Sequence, residues 1–221
     1  MPRTVAVFDW DGVVIDSSIA HERSWEALAA EEKLPLPADH FKRGFGKRNE
    51  LIIPDILGWA NDRTEVKRLS DRKEALYRDI ARTGHVHLLP GVRELCGALH
   101  DLGIPCVIGT STHKANLALS FELFGIGDYF LGAIASEDVS RGKPDPEVFL
   151  KACALGGGEP ASSFVFEDSF SGLKAGIDGG FITIALATTN TREQLVPAGA
   201  HRIVKDLSEV DPQWLARGRL S

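Results

Sequence analysis

The 221-residue sequence predicts an α/β fold, a doubly wound parallel sheet with a helical domain inserted after its first strand. Three observations predict it. Short apolar runs without polar alternation recur along the chain, as in strands buried on both faces. Helix-like stretches, most of them punctuated by glycine, separate those runs, which is the βαβ rhythm of a parallel sheet. Residues 16–88 break the rhythm, with helical texture and no convincing strand.

Val5–Phe8 is the first apolar run and the first strand. Helical patterns follow over Ser18–Lys33, Asn49–Trp59 and Glu65–Arg82, with Pro35 and Pro37 separating the first two. After the insertion, strands are expected at Ile104–Gly109, Leu131–Ala135, Phe164–Phe166 and Thr183–Ala187, with Ile203-Val204 as a short last one. Helices are expected at about 91–102, 114–124, 146–155 and 169–178, with glycines such as Gly103, Gly125 and Gly179 at their ends. The expected division is a core of residues 1–15 and 89–221 and a helical domain of 16–88.

Composition narrows the function classes. Hydrophobic residues make up 43% and charged residues 25%, an ordinary globular balance. The net charge is −6, and the acidic excess lies outside residues 16–88. An acidic surface is a poor partner for nucleic acid, so no nucleic-acid ligand is expected. No apolar run approaches the ~20 residues that span a bilayer, so no membrane partner is expected either. The first apolar stretch is too short for a signal peptide and runs straight into Asp9 and Asp11, so the expected location is cytoplasmic. Cys96, Cys106 and Cys153 are far apart and show no metal-binding spacing, so buried, reduced thiols are expected. The expected oligomeric state is a monomer.

Open parallel sheets bind ligands beyond the carboxyl ends of their strands. The residues just past the expected strands are Asp9-Trp10-Asp11-Gly12, then Thr110, then Arg141-Gly142-Lys143-Pro144, then Glu167-Asp168. A carboxylate attacks phosphorus only where its repulsion with phosphate is offset. Mg²⁺ offers that, taking protein carboxylates together with phosphate oxygens. Asp9 and Asp168 are suited to supply oxygens to it. Lys143 adds a point charge, and Thr110 a hydroxyl donor for a phosphoryl oxygen. Asp11, two residues past Asp9, is placed to protonate the leaving oxygen and later to deprotonate water.

These residues resemble the four motifs of the haloacid dehalogenase superfamily. Asp9-Trp10-Asp11-Gly12-Val13-Val14-Ile15-Asp16-Ser17 is similar to the first, Thr110 to the second, Lys143 in Gly142-Lys143-Pro144 to the third and Glu167-Asp168-Ser169 to the fourth. The resemblance implies that the Asp11 backbone carbonyl binds the metal and that Glu167 supports it directly or through water. It also implies that residues 16–88 are a helical cap like that of the β-phosphoglucomutase and phosphoglycolate phosphatase group. Within the cap, His21 and Trp25 fall where that group has His and Trp on its first cap helix, Lys73 at its cap lysine and the Gly46–Glu50 loop at its substrate-specificity loop. His21, Arg48, Asn49 and Lys73 are the cap residues expected to bind substrate. Ser111 and Thr112, after Thr110, are expected beside the substrate. The loop reads Lys47-Arg48-Asn49-Glu50 and departs from the mutase pattern. So does Thr110-Ser111-Thr112-His113-Lys114, where lysine is displaced by one position. His113 and Lys114 either cap the next helix or line the pocket.

The function expected is Mg²⁺-dependent hydrolysis of a small, sugar phosphate-like phosphomonoester through an aspartyl phosphate. A β-phosphoglucomutase-like mutase is the alternative that uses the same nucleophile. From other classes come a non-catalytic binding module of the same fold and a phosphoacceptor signalling domain. The order of the acidic, Thr and Lys residues disfavours the signalling domain, and metal-dependent turnover separates the binding module from an enzyme.

Overall fold

The computed structural model describes residues 3–44 and 46–220. Its centre is a six-stranded parallel sheet made of β1 (Ala6–Phe8), β4 (Cys106–Gly109), β5 (Phe130–Ile134), β6 (Phe164–Glu167), β7 (Ile182–Leu186) and β8 (Arg202–Val204). The order is β5-β4-β1-β6-β7-β8. The chain winds outward from β1 to β5 and then returns to lay β6 on the other side of β1. That reversal leaves a crevice at the carboxyl ends of β1 and β6, the usual ligand position in such sheets.

The first strand shows why the apolar runs carry no alternation. Ala6 and Phe8 pack into one core and Val5 and Val7 into the other, so both faces of β1 are buried. Phe8 stacks on Phe166 of β6 with ring centroids 4.7 Å apart. Helices α5 (Val92–Asp101), α6 (Lys114–Phe124), α7 (Glu147–Leu155) and α8 (Phe170–Asp178) connect the strands. Two short helices complete the core, α9 (Arg192–Leu195) and α10 (Pro212–Arg217).

The inserted segment is built on α1 (Ser18–Glu32) and α4 (Arg63–Ala81). Asp62 caps α4 by accepting a hydrogen bond from the Glu65 amide at 3.0 Å. Trp25, Leu28, Ile53 and Leu69 form a separate apolar cluster between these helices. Outside, Arg68 and Arg72 of α4 reach Glu32 and Glu31 of α1 at 2.7 Å each. Between the long helices lie α2 (His40–Gly44) and α3 (Asn49–Leu51).

Three features differ from the sequence expectation. The insertion is not free of strand. β2 (Ile15–Asp16) and β3 (His87–Leu88) pair antiparallel where the chain leaves and re-enters the core, and two-residue strands are too short to show a period. The expected helix at Asn49–Trp59 is α3 followed by a π-helical turn at Ile52–Leu57. Pro54 supplies no N–H and crowds the carbonyl four residues back, which widens the ladder there. Finally, α2, α9 and α10 were hidden by their brevity. No helix among the described residues is long and apolar enough to cross a membrane.

Candidate active site

The four motif positions converge on the crevice. Asp9 follows β1, and its amide donates to the Phe166 carbonyl at 3.0 Å, which holds the side chain at the sheet edge. Lys143 Nζ lies 2.8 Å from Asp9 Oδ1 and 2.7 Å from Glu167 Oε1, with all three side chains buried. Asp9, Glu167 and Asp168 each offer one oxygen within 4.8 Å of the others. Although Lys143 is near, no donor among the described residues points a hydrogen bond at Asp9 Oδ1.

Burial dominates the electrostatics of this cluster. It pushes Asp9 up to about 7, with the Lys143 charge opposing and the Glu167 charge adding to the rise. Burial pushes Asp168 well above the usual carboxylate range, reinforced by the Glu167 and Asp9 charges. Glu167 goes the other way. Burial again opposes its charge, but the Lys143 ammonium, its hydrogen bonds and the Ser169 amide outweigh burial and hold it low. One lysine therefore faces three buried carboxylates. A hard oxygen-seeking dication fits this donor set, because it supplies the missing positive charge and prefers carboxylate oxygen.

The loops around the cluster are shaped for it. Gly12 has φ +81°, and a Cβ there would overlap the Asp168 carboxylate. A Cβ on Gly172, in the first turn of α8, would overlap Glu167. Ser169 caps α8 by accepting from the Gly172 amide at 3.1 Å, and its own amide donates to Glu167 Oε2 at 2.6 Å.

Asp11 stands apart from the carboxylate cluster. Ser17 donates to it at 2.5 Å, Thr112 donates its hydroxyl to the other oxygen, and His21 Nε2 lies 3.4 Å away. Burial alone would raise Asp11, yet the contacts with His21, Ser17 and Thr112 bring it below the usual carboxylate range. Thr110 is buried and its Oγ1 accepts from the Thr112 amide at 3.1 Å, so its hydroxyl hydrogen remains for an incoming acceptor.

The inserted helices face this crevice, and His21, Arg48, Asn49 and Lys73 border the same cavity as Asp9, Asp11, Thr110, Ser111 and Thr112. Lys73 Nζ lies 2.7 Å from His21 Nδ1 and 2.9 Å from Glu74 Oε1. Since an ammonium only donates, His21 Nδ1 accepts and Nε2 turns its proton toward Asp11. The Asn49 amide nitrogen is committed to Ser70 at 2.9 Å and Glu74 at 2.7 Å. Arg48 reaches the Ser136 carbonyl at 3.3 Å, across from the insertion to the core. His113 borders the cavity, whereas Lys114 pairs with Asp138 on an exposed surface.

Several residues of the site escaped sequence reasoning. Glu74 is buried and binds Lys73, Asn49 and Asn116 of α6, joining the inserted helices to the core. No local pattern marks it. Thr188, Thr189 and Asn190 follow β7 and hold the Gly12 carbonyl, the Asp168 carboxylate and the Asp168 carbonyl respectively. Their signal was present, since the strand-end rule applied to Thr183–Ala187 points at them.

Comparison with known proteins gives the family of the chain. Residues 4–180 match the family of haloacid dehalogenase-like hydrolases. The chain belongs to that family. A chloroplastic 5-amino-6-(5-phospho-D-ribitylamino)uracil phosphatase of Arabidopsis thaliana is 34% identical over 93% of this chain and 55% of its own length. The chain thus spans about half of that relative. A validoxylamine A 7'-phosphate phosphatase of Streptomyces hygroscopicus is 30% identical over 93% of this chain and 95% of its own. Among solved structures, a family IA, variant 3 haloacid dehalogenase hydrolase from Entamoeba histolytica superposes with a TM-score of 0.88 at 26% identity, covering 97% of this chain and 98% of that one. The inserted helical segment is the cap of this fold.

Proposed function

We propose that this haloacid dehalogenase-like hydrolase is a Mg²⁺-dependent phosphatase that removes phosphate from a small, sugar phosphate-like phosphomonoester through an aspartyl phosphate. The observation that carries the reading is the buried cluster of Asp9, Glu167 and Asp168 around a single Lys143, with Asp11 held separately two residues past Asp9. The phosphatase names of its relatives support it.

Asp9 and Asp168, the Asp11 carbonyl and Glu167, directly or through water, would hold the Mg²⁺. Bound there, the ion would shield the carboxylates from the phosphoryl oxygens and polarise the phosphorus. Asp9 attacks phosphorus as the ester P–O bond breaks, and the leaving oxygen takes a proton from Asp11. Asp11 then removes a proton from water, the water oxygen attacks phosphorus, and the bond to Asp9 breaks to free inorganic phosphate. The low position of Asp11 suits the base half of this cycle. For the acid half it takes up a proton as the anionic substrate enters. Lys143 neutralises Asp9 and the transferring group, and Thr110 donates to a phosphoryl oxygen. The cap, assigned to residues 16–88, closes over the site and excludes water.

A mutase needs a grip on a second phosphate. Lys114, the displaced lysine, is tied to Asp138 away from the cavity, which disfavours that reading. The test is phosphate release with Mg²⁺ from phosphoglycolate, hexose and pentose phosphates, and β-glucose 1-phosphate with a bisphosphate primer. Release abolished by a chelator is the expected result. Glucose 6-phosphate formed without phosphate release would make the protein a mutase.

A further inference from the structure

Three consecutive side chains between β7 and α9 grip the first and fourth motifs. Thr188 donates its hydroxyl to the Gly12 carbonyl, Thr189 donates to Asp168 Oδ2, and the Asn190 amide donates to the Asp168 carbonyl at 3.0 Å. Side chain and main chain of Asp168 are thus held by adjacent residues of one loop. Gly12 closes the other side, since a Cβ there would overlap Asp168 Oδ2 and fall 2.9 Å from Thr189 Oγ1. Oδ2 therefore lies between the Gly12 Cα and the Thr189 hydroxyl, which takes one of its lone pairs. Asp168 is buried and offers an oxygen within 4.8 Å of those of Asp9 and Glu167. Thr189 does not border the cavity that Asp9 and Asp11 line, so its reach to the chemistry runs through Asp168.

We propose that Thr189 is a positioning residue that sets which cation this site prefers. By occupying Oδ2 it leaves Asp168 one oxygen for the ion, and it keeps the carboxylate from turning. The proposal rests on the Mg²⁺ part of the phosphatase reading and adds a residue that the donor set itself does not contain. Mg²⁺ is small and demands near-ideal octahedral geometry, which the narrow bite of a two-oxygen carboxylate strains. Ca²⁺ is larger, accepts about six to eight oxygens and is often held by both oxygens of one carboxylate. A carboxylate held back by one oxygen suits Mg²⁺ and denies Ca²⁺ its second contact. Removing a partner that orients a metal ligand commonly weakens affinity roughly ten- to hundredfold.

The test is calorimetric titration of the metal-stripped chain with Mg²⁺ and with Ca²⁺, which needs neither substrate nor turnover. Thr189→Val keeps the shape of the side chain and removes the donor. The Kd for Mg²⁺ is expected to rise about tenfold and that for Ca²⁺ far less, so the ratio of the Ca²⁺ Kd to the Mg²⁺ Kd falls. Thr189→Ser keeps the hydroxyl and restores most of the parent ratio. Thr189→Ala removes the donor with a smaller side chain, so a loop crowded by valine does not decide the result. A ratio in Thr189→Val and Thr189→Ala equal to that of the parent overturns the proposal, whether or not both affinities drop. A parent chain that binds neither ion defeats the Mg²⁺ reading and the proposal with it. A parent that binds Mg²⁺, with variants of unchanged ratio, defeats the role of Thr189 alone.

Discussion

Gly12 and Asp168 share one space: the hydrogen on the Gly12 Cα is all that fits against the Asp168 carboxylate. Backbone of the first motif thereby fixes the side chain of the fourth. Gly12→Ala would need a side chain at φ +81° and would push Asp168 away from Asp9. The expected cost is roughly 1–3 kcal/mol of stability together with weaker Mg²⁺ binding. Thermal melts with and without Mg²⁺ check both. Unchanged metal affinity in a folded Gly12→Ala chain would show that Asp168 does not depend on this contact.

Asp9→Asn keeps the shape of the side chain and removes its attack on phosphorus. Turnover is expected to fall by roughly 10³-fold or more, while circular dichroism stays that of the parent. Asp11→Asn is expected to slow ester cleavage most for esters with poor leaving groups, because a good leaving group needs no proton. Rates of p-nitrophenyl phosphate against an alkyl phosphate make the comparison. Equal losses on both would remove Asp11 from the acid role.

Three buried carboxylates facing one lysine make the metal-free site unfavourable, so a cation is expected to stabilise the fold. Mg²⁺ at ~100 times its Kd should add about 2.7 kcal/mol to unfolding, and a chelator should remove it. Asp168→Asn, with one anion fewer, should lose most of that gain. A melting temperature indifferent to Mg²⁺ would show that the cluster does not hold the ion in the free enzyme.

The placement of the core site residues was legible in the sequence because strand and ligand share one logic. A two-faced apolar run such as Val5–Phe8 has to be a central strand, and polar residues at its carboxyl end have to sit in the crevice. Asp9, Asp11, Thr110 and Asp168 follow from that, whereas Lys143 lies further along the loop after β5 and was marked by its Gly142-Lys143-Pro144 motif. Glu74 and Asn116 were not legible, because their partners are set by tertiary packing. Asn116 and Glu74 are 42 residues apart and meet only when the cap docks on the core. The pairing of Ile15 with Leu88 was illegible for a simpler reason, since two residues carry no periodic signal.

Glu74 is the hub of that docking and offers the sharpest test of it. Burial opposes its charge, but the Lys73 charge and the Asn49 hydrogen bond outweigh burial and depress it well below its ordinary 4.5. A carboxylate depressed by folding contributes stability that is fully present above the unfolded value and is lost as pH falls below it. Glu74→Gln should therefore cost roughly 3 kcal/mol at neutral pH, since it leaves Lys73 buried beside a neutral amide. The gap between parent and variant should stay level from pH 8 to about 5 and shrink below about 4.5. Denaturant unfolding of both chains across that range reads it. A gap that does not change with pH would mean that Glu74 acts through shape and hydrogen bonding, and that its charge contributes nothing to holding the cap on the core.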